Sequence, residues 1–265
     1  MRGRAVPISW SRRLMADAMG IAMGMPSVAL QRVMALWPAV TARNAAAARY
    51  PWSAIMTKAY ALTAQEFPEL RRVYLKYPYP HFYEYAASVA AVLIERADAG
   101  EIHLLHILIK DPATQSIAEL AERIQDAREA PMDQVKDFVR ARRLARLPLP
   151  LRRLLWRLAF LFGRPRGRFF GTFGLAAIPA HGTDVLSPRT TWTSFLSYAY
   201  GSLNDDGVMK GHLTWDHRVF DAATAGRVLA RFEEILNGPI ADELWGGPAA
   251  AAADGAERRR LQGRS

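Results

Sequence analysis

The 265-residue chain contains no cysteine. Disulfides, thiolate metal ligands and a cysteine nucleophile are excluded together, and the composition fits a reducing compartment. Long apolar runs are missing too. No stretch of about 18 uncharged apolar residues occurs, so no transmembrane helix is expected. The first twenty residues lack the unbroken apolar core of a secretory signal, because Arg12, Arg13 and Asp17 interrupt it. Acid is absent from Arg140 to Arg168, where ten arginines fall. That segment is as positive as the whole protein, whose formal charge is +10. Nucleic acid, an anionic membrane, or an acidic protein or phosphate-rich ligand would suit such a patch, and charge alone does not choose among them. No internal repeat is visible. What remains is an ordinary globular composition, 51% hydrophobic and 23% charged, long enough for one large domain or two small ones.

Periodicity places the elements. Leu14, Ala18 and Ile21 suggest a first helix, and "SVALQRVMALWPAV" a second. "SAIMTKAYALTAQEF" has Ile55, Ala59, Leu62 and Phe67 near helical spacing. "EYAASVAAVLI" fits strand or helix. "IHLLHILIK" is a short apolar run between Gly100 and Asp111-Pro112, which predicts a buried strand. Ser116 precedes "IAELAERIQDA" with Glu119 three residues on, a capping-box arrangement. Leu151, Leu154, Leu155, Leu158 and Phe162 share one helical face, with Arg152, Arg153 and Arg157 off it. Pro148 and Pro150 mark the start of that helix and "GRPRGR" its end. This pattern fits either a solvated helix covering the core or a basic amphipathic helix on a lipid surface. "GTFGLAAI", "TTWTSFLSYAYG" and "GHLTWDH" predict strands, the last putting Leu213, Trp215 and His217 on one side. Asp221 then takes an N-cap position before a helix with Ala225, Val228, Leu229, Phe232, Ile235 and Leu236 as its buried stripe, closed by Gly238 and Pro239.

"LTWDHRVFDAATAGRVL" resembles the catalytic core of the 2-oxoacid dehydrogenase acyltransferases, relatives of chloramphenicol acetyltransferase in the coenzyme A-dependent acyltransferase superfamily. The family pattern there is LTLSxDHRxxDGAxAAxFL, and this stretch departs at the glycine, which is Ala222. "VPISWSRRLMADAM" resembles the opening IPMSRMRKxIAxRM through Pro7, Ser9, Arg12 and Met19. "AIMTKAYALTAQEFPEL" is similar to the helix ending REFPELN, "LHILIKDPATQSIAELAERI" to the block VPVIKDADxxSxxEIAxEI, and "GTF" at 171–173 to the start of GTFTISNLG. The likeness runs from about Val6 to about Leu236, interrupted by the arginine-rich segment.

The resemblance implies an α/β fold, a chloramphenicol acetyltransferase-like mixed sheet flanked by helices. It implies one catalytic domain over residues 1–247, interrupted by the basic amphipathic segment at about 138–169, and the composition of 248–265 predicts a disordered tail. It further implies that His217 is a general base, deprotonating an acceptor thiol or hydroxyl that attacks a thioester carbonyl. Imidazole suits that task because it exchanges protons near neutral pH. Asp221 would form a structural ion pair with Arg12. No acyl-enzyme forms in that scheme, so it needs no cysteine, bound cofactor or metal. A coenzyme A thioester is the expected substrate, and the family's inter-subunit site implies a homotrimer.

Two features depart from the pattern. Counting from Gly171 without gaps, the family's oxyanion-stabilising hydroxyl falls on Ala176, so the oxyanion donor is unidentified, with Thr214 and Ser187 as substitutes. No lipoyl or subunit-binding domain precedes the core, so a stand-alone acyltransferase is expected. Its arginine-rich insertion would dock an acyl carrier protein, coenzyme A phosphates, or an anionic membrane through Arg152, Arg153 and Arg157. Nucleic acid is disfavoured, since the aromatics lie in a leucine stripe and no binding module is recognised. The expected location is cytoplasmic, peripheral at the membrane. Ala176 and Ala222 keep open a catalytically inactive relative acting as an oligomeric binding or membrane-associated module.

Overall fold

A computed structural model describes residues 3–98, 100–179, 188–200 and 207–246. Eight helices and eight strands follow in the order α1 (Trp10–Ala22), β1 (Ser27–Ala35), α2 (Trp37–Ala45), α3 (Trp52–Glu66), β2 (Arg72–Leu75), β3 (His81–Glu84), β4 (Val89–Asp98), β5 (Glu101–Lys110), α4 (Ile117–Glu129), α5 (Lys136–Ala145), α6 (Leu149–Leu161), α7 (Gly163–Phe170), β6 (Phe173–Pro179), β7 (Ser194–Tyr200), β8 (Val208–Asp216) and α8 (Ala222–Ile235). Six strands form one mixed sheet in the order β1-β8-β7-β6-β4-β5, and β2 and β3 form a separate ribbon. The α/β architecture is as the sequence implies.

One face of the sheet carries Leu175, Leu196, Leu213 and Trp215, and α3 and α8 cover it. α3 is buried almost all round: Ala54, Ala59, Ala61 and Ala64 are inaccessible, as are Thr57 and Thr63. Those two hydroxyls donate back to the Ser53 and Ala59 carbonyls at 2.6 and 2.8 Å, so small polar residues enter the core with their hydrogen bonds made. α4 opens with the expected capping box: the Ser116 hydroxyl accepts from the Glu119 amide at 3.2 Å, and the Ser116 amide donates to the Glu119 carboxylate at 2.7 Å.

Three local expectations differ from the structure. "SVALQRVMA" is strand β1, not helix, with helix α2 beginning only at Trp37. Its Ala, Leu, Gln and Met favour helix locally. Antiparallel pairing with β8 along the whole register from Ser27–Asp216 to Ala35–Val208 overrides that preference. "GRPRGR" does not end the insertion but forms α7. A Cβ on Gly163 would fall 2.3 Å from the Tyr83 ring, and one on Gly167 2.4 Å from Tyr85, so the glycines admit close packing on the β3 segment. Gly238 and Pro239 do not terminate the last helix. They lie in a π turn, Leu236–Ile240, and helix resumes over 241–246.

Candidate functional site at the β8–α8 turn

Five residues, 217–221, connect β8 to α8, and their backbone is held at each step. Trp215, 1% exposed, donates its indole N–H to the Phe220 carbonyl at 2.8 Å and stacks on the Phe220 ring at 5.5 Å. The Asp216 carboxylate is buried and takes three bonds from Arg218: the amide at 3.1 Å, Nε at 2.9 Å and Nη2 at 2.7 Å. The His217 amide donates to the Pro26 carbonyl at 2.9 Å, which ties the turn to the start of β1. The His217 side chain itself is exposed, and its ring nitrogens have no hydrogen bond among the described residues. A fixed backbone carrying a solvent-facing imidazole suits a base that must meet an incoming substrate.

Asp221 is the N-cap of α8, its carboxylate accepting the Thr224 amide at 2.7 Å. Hydrogen bonds from the Thr224 amide and hydroxyl hold it below the usual carboxylate range. The expected Arg12–Asp221 ion pair is not formed within the chain. Arg12 is exposed on the first turn of α1, and the neighbouring Ser11 hydroxyl bonds His103 of β5 at 2.7 Å. β5 is the far edge strand from β8, four strand spacings away, or about 19 Å. Ala222 is the exposed first residue of α8.

On the opposite face of the sheet, Ala176 of β6 pairs with Ser197 of β7, which pairs with His212 of β8. Directly paired residues point the same way, so the position lacking a hydroxyl has one beside it, one strand over. The Ser197 and Thr214 hydroxyls are both buried without a hydrogen-bond partner among the described residues. Ser187 lies outside the described residues. No local sequence signal brings Ser197 beside Ala176, because the two strand neighbours are 21 residues apart.

The insertion is turned the opposite way from a helix that covers the core with its leucines. On α6 it is Arg152 and Trp156 that are buried, 6% and 7% exposed, whereas Leu151, Leu154, Leu155 and Leu158 are 44%, 51%, 40% and 44% exposed. Arg152 is therefore not part of a lipid-facing surface. It forms a buried ion pair with Asp17 of α1 and donates to the Leu147 carbonyl at 3.2 Å, clamping α6 onto α1. Trp156 packs on Phe170 at 4.5 Å. Arg153 and Arg157 are exposed as expected.

Between α6, the end of α1 and β2 lies a cavity of about 420 Å³. Arg218 and Met25 line it, so it adjoins the His217 turn on both sides of the Pro26 contact. Arg166 of α7 also lines it. That guanidinium is 5% exposed, lies 4.8 Å from the Phe160 ring centre, and donates to the Thr191 carbonyl at 2.8 Å. Burial lowers its pKa to about 10.

The fold is that of acyltransferase catalytic cores. A probable dihydrolipoamide acetyltransferase from Listeria monocytogenes matches at TM-score 0.60 and 19% identity, over 88% of this chain and 94% of that one. A truncated catalytic core of the 2-oxoacid dehydrogenase multienzyme complex from Thermoplasma acidophilum matches at TM-score 0.63 and 17% identity, over 89% and 99%. The cubic core of a pyruvate dehydrogenase multienzyme complex matches at TM-score 0.62 and 14% identity, over 89% and 92%. No family model and no curated protein matches the chain. No helix among the described residues is long and apolar enough to cross a membrane.

Proposed function

We propose that the protein is an acyltransferase that moves an acyl group from a coenzyme A or carrier-protein thioester to a thiol or hydroxyl acceptor. The observation that carries this reading is His217, an exposed imidazole on a backbone pinned by Trp215, Asp216 and Pro26, within an acyltransferase-core fold. His217 takes the acceptor proton, and the acceptor oxygen or sulfur attacks the thioester carbonyl. The C–S bond of the resulting tetrahedral intermediate then breaks, and the thiolate leaves with the proton carried by His217. Ser197 supplies the oxyanion hydrogen bond in place of a side chain at Ala176.

Within one chain these two groups lie apart. Ser197 is level with His212, and His217 is five residues further on, about 17 Å at strand rise. The active site thus takes the base from one copy and the hydroxyl from another, an arrangement that fits the homotrimer implied by the family resemblance. In the test, His217→Ala loses thioester consumption in the presence of acceptor and keeps its melting temperature. An alanine variant with wild-type turnover removes His217 from the mechanism. Wild-type protein that consumes no acyl-thioester, of coenzyme A or carrier protein, favours the inactive binding module. The leucine face of α6, exposed between Arg153 and Arg157, supports peripheral attachment to an anionic membrane.

A further inference from the structure

The cavity beneath α6 combines two lining chemistries. Ile21, Met25, Phe160 and Leu161 make an apolar wall. Lys76, Arg157, Arg166 and Arg218 add four cations, and no acidic side chain lines it among the described residues. Of these, Arg218 is neutralised by Asp216. Arg166 has no carboxylate of its own: it is buried, its acceptors are one carbonyl and the Met25 sulfur at 4.0 Å, and the one carboxylate whose charge reaches it, Asp216, is already paired with Arg218. A guanidinium has five N–H donors, and a buried charge is costly without a counter-charge. The structure therefore holds an unmet demand for an anion at the bottom of an apolar cleft. The volume lies within the usual range for small-molecule sites. Both the arginine and much of the apolar wall come from α6 and α7, so the insertion supplies a large part of this cleft.

We propose that the cavity binds a single-chain amphiphile with a phosphate head group, its alkyl chain against Ile21, Met25 and Leu161 and its phosphate on Arg166, with Lys76 and Arg157 at the rim. Several converging cations suit a multiply charged phosphate better than a carboxylate. The cavity adjoins the His217 turn through Arg218, so such a lipid is the substrate class for the acyl transfer. That last step rests on the acyltransferase reading, whereas the binding itself does not.

Isothermal titration of the full chain with octyl, decyl and dodecyl phosphate, each below its micelle-forming concentration, tests the site. One molecule binds per chain, and affinity rises by up to about fourfold per methylene buried until the cleft is filled. Inorganic phosphate, decyl glucoside and decanoate each bind at least tenfold more weakly than decyl phosphate. Arg166→Gln weakens decyl phosphate binding at least tenfold, and Leu161→Trp, which fills the cleft, abolishes it. Should Arg166→Gln fail to fold, the paired rim change Lys76→Gln with Arg157→Gln carries the same expectation. His217→Ala binds as wild type does, so loss of turnover and loss of the cavity are separately visible. Inorganic phosphate or coenzyme A binding as tightly as decyl phosphate, decanoate binding more tightly, or affinity independent of chain length overturns the proposal. So does unchanged binding by Leu161→Trp.

Discussion

At the scale of single residues, the hydroxyls around Ala176 separate function from stability. Ser197 and Thr214 are buried with no partner among the described residues. Replacing an unsatisfied buried hydroxyl by an apolar group of similar shape is close to neutral or stabilising. Thr214→Val and Ser197→Ala should accordingly leave the melting temperature unchanged or raised. Ser197→Ala should also lower turnover by about two orders of magnitude, the usual effect of losing one oxyanion donor, while Thr214→Val should not. Equal turnover in wild type and Ser197→Ala would move the donor elsewhere. Arg12 and Asp221 make a contrasting pair. Asp221 already caps α8 through Thr224, and Arg12 is exposed next to Ser11, whose hydroxyl bonds His103 of β5. A double-mutant cycle on the two should be additive in the isolated chain. A coupling above about 0.5 kcal/mol would restore the ion pair that the resemblance implies.

At the scale of elements, α6 owes its position to a charge turned inward. Arg152 and Asp17 are both buried, their side chains 7% and 5% exposed. Removing either partner leaves an uncompensated buried charge and should cost about 3–5 kcal/mol, measured by denaturant titration. Replacing both by apolar residues should cost much less, and two equal additive losses would show that the pair is not what seats the helix. Because Arg152 is committed to that pair, it cannot also answer to lipid. The outward surface belongs to Leu151, Leu154 and Leu155 with Arg153 and Arg157. In sedimentation with anionic vesicles, Arg153→Gln should weaken binding by roughly 1 kcal/mol, an effect lost at high salt. Leu151→Ser with Leu154→Ser should weaken it further without lowering stability. Wild-type protein that stays in the supernatant at low salt would leave the leucine face to another partner.

At the scale of the whole molecule, the proposed catalytic arrangement depends on association and the response to pH on tertiary burial. The base and the proposed oxyanion donor are about 17 Å apart in one chain by strand rise, so activity should require association. Sedimentation velocity should give a trimer, and diluting the protein to monomer should abolish turnover in parallel. Turnover that persists in the monomer would break the shared-site reading. Acid sensitivity should come in part from His106 of β5, which packs edge-on against Trp192 at 5.9 Å. Burial lowers its pKa, with Asp137 opposing in part. The unfolded chain then binds a proton that the folded chain refuses, so its contribution is complete above the unfolded value, near 6.5, and shrinks as pH falls below that. Melting temperatures measured from pH 7.5 to 5.5 should fall more steeply for wild type than for His106→Gln.

Much of the fold was legible in the sequence, because the signals involved are short-range. The capping box of Ser116 and Glu119, the Asp221 cap and the stripe of α8 depend on residues three or four apart, and the structure has all of them. The β8–α8 turn with its histidine was legible for the same reason. What tertiary structure decided involves partners distant in sequence. β1 is a strand because β8, some 180 residues later, pairs with it and outweighs its local helix preference. Ser197 stands beside Ala176 only because β6 and β7 are parallel neighbours. The leucines of α6 face outward because Asp17, on another helix, draws Arg152 inward, and hydrophobic periodicity identifies a face without saying which way it turns.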